Sequence, residues 1–112
     1  MSYELNDKVA DAQTWATEQR YKVGTGWIAA VENAVEGSNV VMVIPTMRDR
    51  DMLVAAMLDP LADRKVKIDK KLTTFHEVVL SNGARIRIES AQRGERALIG
   101  IDRSTVMVFV YR

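Results

Sequence analysis

"NVVMVIP", residues 39–45, decides the fold class. Its five consecutive apolar residues, Val40–Ile44, are too few for a helix. They lack the alternation of a strand with one wet face. The pattern is that of a strand buried on both faces, as at the centre of an α/β sheet. Pro45 ends the ladder because it has no N–H to donate. Helical patterns lie on both sides. Upstream, Trp27–Glu36 carries Ile28, Val31 and Val35 on one side, and Gly37 ends it by accepting a left-handed backbone. Downstream, a helix is expected over Arg48–Leu58 with Leu53, Ala56 and Met57 inward, and Pro60 stops it or opens one last turn.

Further out towards the N-terminus, Leu5, Val9, Ala12 and Ala16 fall at helical spacing with Trp15 beside them. Asn6 is expected to cap this helix, which runs to about Arg20, and Asp7 sits near the positive end of its dipole. A short extended piece follows at Tyr21–Val23. Gly24-Thr25-Gly26 then reads as a turn in which Thr25 can cap the next helix.

Beyond the third helix, "RKVKIDKK" (64–71) alternates basic and apolar residues, as in an exposed edge strand whose lysines deter further pairing. "FHEVVLSNGARIRIESA" (75–91) is a hairpin signal, because Asn82-Gly83 tolerates the positive φ angles of a two-residue turn. That turn pairs Val79 with Ile86 and Glu77 with Ile88 on one face, which Phe75 extends towards the core. Leu80–Arg85, Val78–Arg87 and His76–Glu89 then share the other face. "QRGER" (92–96) is a polar loop, and "STVMVFVYR" (104–112) is a last apolar strand. The expected architecture is a small mixed-sheet α/β sandwich, with about three helices and a β-hairpin, in one domain spanning 1–112.

The 112 residues are 47% apolar and 28% charged, ordinary for a globular domain. No apolar run approaches the ~20 residues that span a bilayer, and the N-terminal residues lack the basic-then-apolar pattern of a signal peptide. A cytoplasmic, membrane-free protein is expected. With no Cys and a single His, thiol chemistry and the commonest zinc ligand sets are not available. The net charge of +1 hides a split: residues 1–63 hold 5 basic against 10 acidic residues, and residues 64–112 hold 11 against 5. Such polarity permits head-to-tail self-association, or it is simply solvated surface.

Arg85, Arg87, Arg93, Arg96 and Arg103 form a candidate basic surface around the hairpin, where guanidinium groups can hold phosphates bidentately. The interspersed Glu89, Glu95 and Asp102, and the lack of an evident aromatic platform, weigh against nucleic acid. Trp15 and Trp27 are candidate interface anchors, with core packing as the competing reading. Met47 and Met52 flank the strand-to-helix turn and could face a partner, although packing is the simpler use of both. His76 reads as a paired surface residue. Asp49 and Asp51 do not share a helix face, and with Asp59 they read as solvated charges rather than a catalytic carboxylate pair.

The order of these pieces resembles P-loop ATPases of the helicase and phage-terminase type. The corresponding segments are Gly24-Thr25-Gly26, the helix from Trp27, "VVMVIPT" (40–46), "LSNGARIRIESA" (80–91), Arg93-Gly94 and "STVMVFV" (104–110). The likeness covers about residues 20–110. The departures fall on the reacting groups. A phosphate loop places a Lys and a Ser or Thr after its last Gly, and here Trp27 and Ile28 follow Gly26. No acidic pair follows the final strand, which leaves through Tyr111-Arg112. The resemblance therefore implies an ATPase core kept for its shape, with no catalytic residue, metal or cofactor. It implies a non-enzymatic protein of phage or viral origin that docks on a host or viral protein, an ATPase among the candidates. The alternative is a nucleic-acid-binding accessory protein using the arginines.

Overall fold

The computed structural model describes residues 2–72 and 76–112, without the side chains of residues 2–5 and 72. Phe75 and the Leu5 side chain thus lie outside the described residues. Helix α1 (Ser2–Glu18) leads into strand β1 (Lys22–Thr25), helix α2 (Trp27–Val35) and strand β2 (Val40–Ile44). A 3₁₀ turn at Met47–Asp49 precedes helix α3 (Arg50–Asp63). Strands β3 (Ile68–Leu72), β4 (Glu77–Leu80) and β5 (Arg85–Ser90) follow, then 3₁₀ turns over Ala91–Ala97 and strand β6 (Val106–Phe109).

The strands form one mixed sheet in the order β1-β6-β2-β5-β4-β3. β1, β6, β2 and β5 are mutually parallel, β4 runs antiparallel to β5, and β3 runs antiparallel to β4 at the edge. The crossover from β1 to β2 passes over β6, and the return from β5 to β6 passes over β2 in the opposite direction. Crossovers of one hand must then lie on opposite faces. They do: α2 and α3 pack one apolar cluster on one face, while α1 and Ala91–Leu98 pack a second on the other. The result is a three-layer α/β sandwich. β2 is buried along its whole length because both layers cover it.

Several local expectations are corrected. Asn6 lies inside α1, not at its cap. Its carboxamide accepts from the Arg112 amide at 2.8 Å and donates to the Arg112 carbonyl at 3.2 Å, so it holds the segment after β6. Gly24 and Thr25 belong to β1, and Gly26 occupies the cap of α2, which has no side-chain capping bond. On α2 the buried face is Ala30, Val31 and Ala34, with Ile28 exposed. α3 begins two residues later than expected and continues through Pro60 to Asp63. Pro60 opens the last turn, in which Leu61 is buried. Leu53, Val54 and Met57 point inward, whereas Ala56 is exposed. The strand expected at 64–71 begins only at Ile68. The final strand is confined to Val106–Phe109.

The hairpin has a three-residue loop, and its register differs by one from the expectation. Gly83 donates to Leu80 O and Leu80 donates to Ala84 O, each at 2.9 Å, with Gly83 left-handed at φ 88°. This is a turn closed by a glycine bulge. Val78 therefore faces Ile86 and Val79 faces Arg85. A one-residue slip exchanges the faces of one strand, so Val78 and Leu80 join Ile86 and Ile88 in the core while Glu77 and Val79 face the other way. Asn82 favours this register by donating to the Ala34 and Val35 carbonyls at 2.9 and 3.3 Å. It thereby satisfies the C-terminal end of α2.

Gly24 is closely packed. A Cβ there would meet Ala29 Cβ at 3.2 Å and Val108 Cγ2 at 3.6 Å, so α2 sits directly on β1. Gly24→Ala is expected to push α2 outward and cost about 1–2 kcal/mol. Urea unfolding should show a lower midpoint at unchanged slope.

Candidate interaction face and the strand ends

In open parallel sheets, ligand crevices form at the carboxyl ends of the strands. Here those ends are tied together. A single residue, Gly26, separates β1 from α2, and its amide donates to Phe109 O at 2.9 Å. The Gly26 carbonyl accepts from Ala29 at 3.1 Å, and the Val110 amide donates to Val43 O at 2.9 Å. The Ser90 hydroxyl accepts from the Gln92 amide at 3.1 Å, and the Thr46 hydroxyl from the Arg48 amide at 3.4 Å. Trp27 packs half-buried against the α2/α3 cluster. Trp15 is also half-buried and stacks on Tyr21 with ring centroids 6.1 Å apart. Both tryptophans thus contribute to packing while keeping part of their surface open.

The arginines do gather around the hairpin and the following turn, but most are committed internally. Glu89 is 4% exposed. Its Oε1 accepts from Arg87 Nε at 2.8 Å and its Oε2 from Arg93 Nη1 at 3.2 Å. Arg85 donates to Glu77 at 3.1 Å. The Arg103 guanidinium lies 4.6 Å above the Tyr21 ring, whose hydroxyl donates to Ile101 O at 2.6 Å. Arg96 is exposed and makes no ion pair among the described residues. Four of the five guanidinium groups therefore already have a partner within the chain.

His76 does not face Glu89. It is exposed, adopts φ 48°, and its Nδ1 contacts Arg50 Nη1 on α3. Among the described residues, no group of three His, Asp or Glu side chains converges as a metal site would require.

Two clefts flank the arginines. One of about 360 Å³ runs between the β4–β5 hairpin and the segment before β6, lined by Glu77, Arg85, Arg87, Ile99, Asp102 and others. α1 does not cover this part of the sheet, and Ile99 stands 66% exposed at its margin. Asp102 accepts both the amide and the hydroxyl of Ser104 at 2.7 Å. These bonds hold its carboxyl below the usual carboxylate range. The second cleft, about 370 Å³, lies between α1 and residues 91–96, with Lys8, Asp11, Arg93, Glu95 and Arg96 in mixed charge. Ile99 was not singled out by sequence reasoning, and Glu89 was read as a surface partner of His76 rather than as a buried partner of Arg87 and Arg93. The spacing of Arg87 and Glu89, two apart on a strand and so on one face, was the available signal for Glu89. Nothing local marks Ile99.

No protein-family model matches the chain, and neither a curated protein nor a solved structure is significantly similar to it. No described helix is long and apolar enough to cross a membrane.

Proposed function

We propose that this chain is a non-enzymatic docking protein. It binds a protein partner through the open face formed by β4, β5 and the turn around Ile99. The observation that carries this reading is the composition of that face: an exposed apolar residue, Ile99, beside the cleft that Arg85 and Arg87 line. Apolar anchors rimmed by arginines are a common surface for protein recognition. Nucleic acid is the weaker reading, because guanidinium groups already held by Glu77 and Glu89 release fewer counterions when they meet phosphate. An ATPase of the type the chain resembles is the partner to test first, on the view that a core kept for its shape can cap or displace a subunit. Phage or viral origin belongs to the same reading.

Ile99→Glu is an exposed change that should leave folding intact, and Arg85→Glu is checked by circular dichroism because it removes the partner of Glu77. Each is expected to abolish capture of the partner obtained with the unaltered chain. Retention of the same partner by both variants would remove this face from consideration. Titration with single- and double-stranded DNA at two salt concentrations tests the alternative. Salt-sensitive binding lost in an Arg85→Ala, Arg96→Ala double variant would establish it.

The turn at Gly24–Gly26 supports the reading without nucleotide, since its amide at Gly26 is spent on Phe109. ATP with magnesium is expected to leave the melting temperature unchanged, because a ligand that binds the native state must raise it. Trp27→Lys is expected to give no ATP turnover, and measurable hydrolysis in that variant would overturn the proposal.

A further inference from the structure

We propose that Asn82-Gly83 is a modification site gated by the fold: docking of the turn on α2 protects the Asn82 carboxamide from deamidation, and loss of that carboxamide prevents the turn from docking again. The fold itself calls for this labile pair. Gly83 stands at φ 88° in the hairpin loop, a conformation that favours glycine. Asn82 must offer donors to α2 and an acceptor to its own turn, and a carboxamide supplies both. Its Nδ2 donates to Ala34 O and Val35 O, and its Oδ1 accepts from the Ala84 amide at 3.0 Å. Both residues are exposed, so water and base reach them.

Deamidation needs this arrangement undone. The Gly83 nitrogen gives its proton to solvent base and attacks Asn82 Cγ. An N–C bond forms, the Cγ–Nδ2 bond breaks, and Nδ2 leaves as ammonia with a proton taken from solvent. The five-membered imide that results takes up one water. Opening at Cγ gives aspartate. Opening at the Asn82 main-chain carbonyl gives isoaspartate, whose backbone runs through the side chain. In the folded chain the Gly83 N–H is held by Leu80 O at 2.9 Å, and the leaving nitrogen is held by the end of α2. Attack therefore requires the turn to open first, and its rate follows the open population.

Neither product restores the turn. A carboxylate still accepts from Ala84 but donates nothing to Ala34 and Val35. It also places a negative charge at the negative end of α2, whose last turn holds no basic residue. Isoaspartate further lengthens the main chain of a turn closed by the Gly83–Leu80 and Leu80–Ala84 bonds. Opening of the turn thus leads to a one-way step, and the pair acts as a timer of local unfolding. None of this depends on a partner at the docking face proposed above.

The full chain is incubated in mildly alkaline buffer, folded and unfolded in guanidinium chloride. Deamidation is read by mass spectrometry of the peptide that contains residues 82 and 83. Asn82 should react at least about tenfold more slowly in the folded chain. The deamidated chain, separated by its added negative charge, should melt at a lower temperature. It should also exchange amide hydrogens faster across residues 80–84 and at the end of α2. Asn82→Asp should reproduce both changes. Equal deamidation rates in the folded and unfolded chains would overturn the proposal. So would a deamidated chain, or an Asn82→Asp variant, that melts and exchanges like the unaltered one.

Discussion

Phe109→Ala is expected to remove about 3–5 kcal/mol of stability, the range for truncating a fully buried aromatic residue. Phe109 is wholly buried on β6, between β1 and β2, opposite Thr25 and Val43. It belongs to the cluster under α1, in which the helix contributes mainly Val9, Ala12 and Ala16. Those small side chains bring α1 close to the sheet, so the ring occupies space that no neighbour can refill. The opposite cluster shares its volume among Ile44, Met57, Leu61, Leu80, Ile86 and Ile88 and depends less on any one of them. A domain of this size has about 5–15 kcal/mol in total, so this single change consumes a large part of it. Urea unfolding should show a much lower midpoint, with Phe109→Leu intermediate. A cost below about 1 kcal/mol would mean that α1 and residues 91–98 do not enclose the ring.

β2 was legible to the residue because a short apolar run ended by a proline admits one reading. The sandwich followed from it, since a strand buried on both faces needs a layer on each side. Errors arose where one residue type serves two purposes. An Asn before an apolar stripe is a good cap, but Asn6 instead bonds to the backbone of Arg112, 106 positions away. Asn82-Gly83 supports a two-residue turn or a three-residue turn with a glycine bulge. The choice was made by Asn82 reaching the carbonyls at the end of α2 and by Val78 and Leu80 fitting under α3. Both are tertiary terms, larger than local turn preference and absent from the hairpin's own sequence. Pro60 admits a stop or one last turn, and the burial of Leu61 selects the last turn and carries α3 to Asp63, beyond the expected end at Leu58.

The candidate face was partly legible for the same reason. Clustering of Arg85, Arg87 and Arg93 near one hairpin follows from their spacing. Whether those charges are free or spent depends on how deeply Glu89 is covered, since β5 carries it on the same face as Arg87 in either register. Reading Glu89 opposite His76 made it a surface residue. In the structure it is buried between Arg87 and Arg93, and the basic patch becomes an internal ion network. Exposure of Ile99 depends on how far α1 extends across the sheet, which no local pattern encodes.

That network leads to a prediction whose sign differs from the usual view of surface arginines. Arg87→Ala is expected to cost about 2–3 kcal/mol, because it strands a buried carboxylate with only the longer bond from Arg93. Arg93→Ala should cost less than about 1 kcal/mol, since its side chain is 66% exposed and the Arg87 bonds remain. Glu89→Met removes the buried charge and leaves two cations that can turn into water, so its cost should also be less than about 1 kcal/mol. The decisive comparison is the double variant. If the penalty of Arg87→Ala comes from stranding Glu89, then adding Glu89→Met should recover most of the lost stability. If the penalty comes from lost packing of the Arg87 stem, the two effects should simply add. Unfolding free energies for the three single variants and the double separate these outcomes. Additivity would place Arg87 among ordinary surface contacts and return it to the residues available for a charged partner.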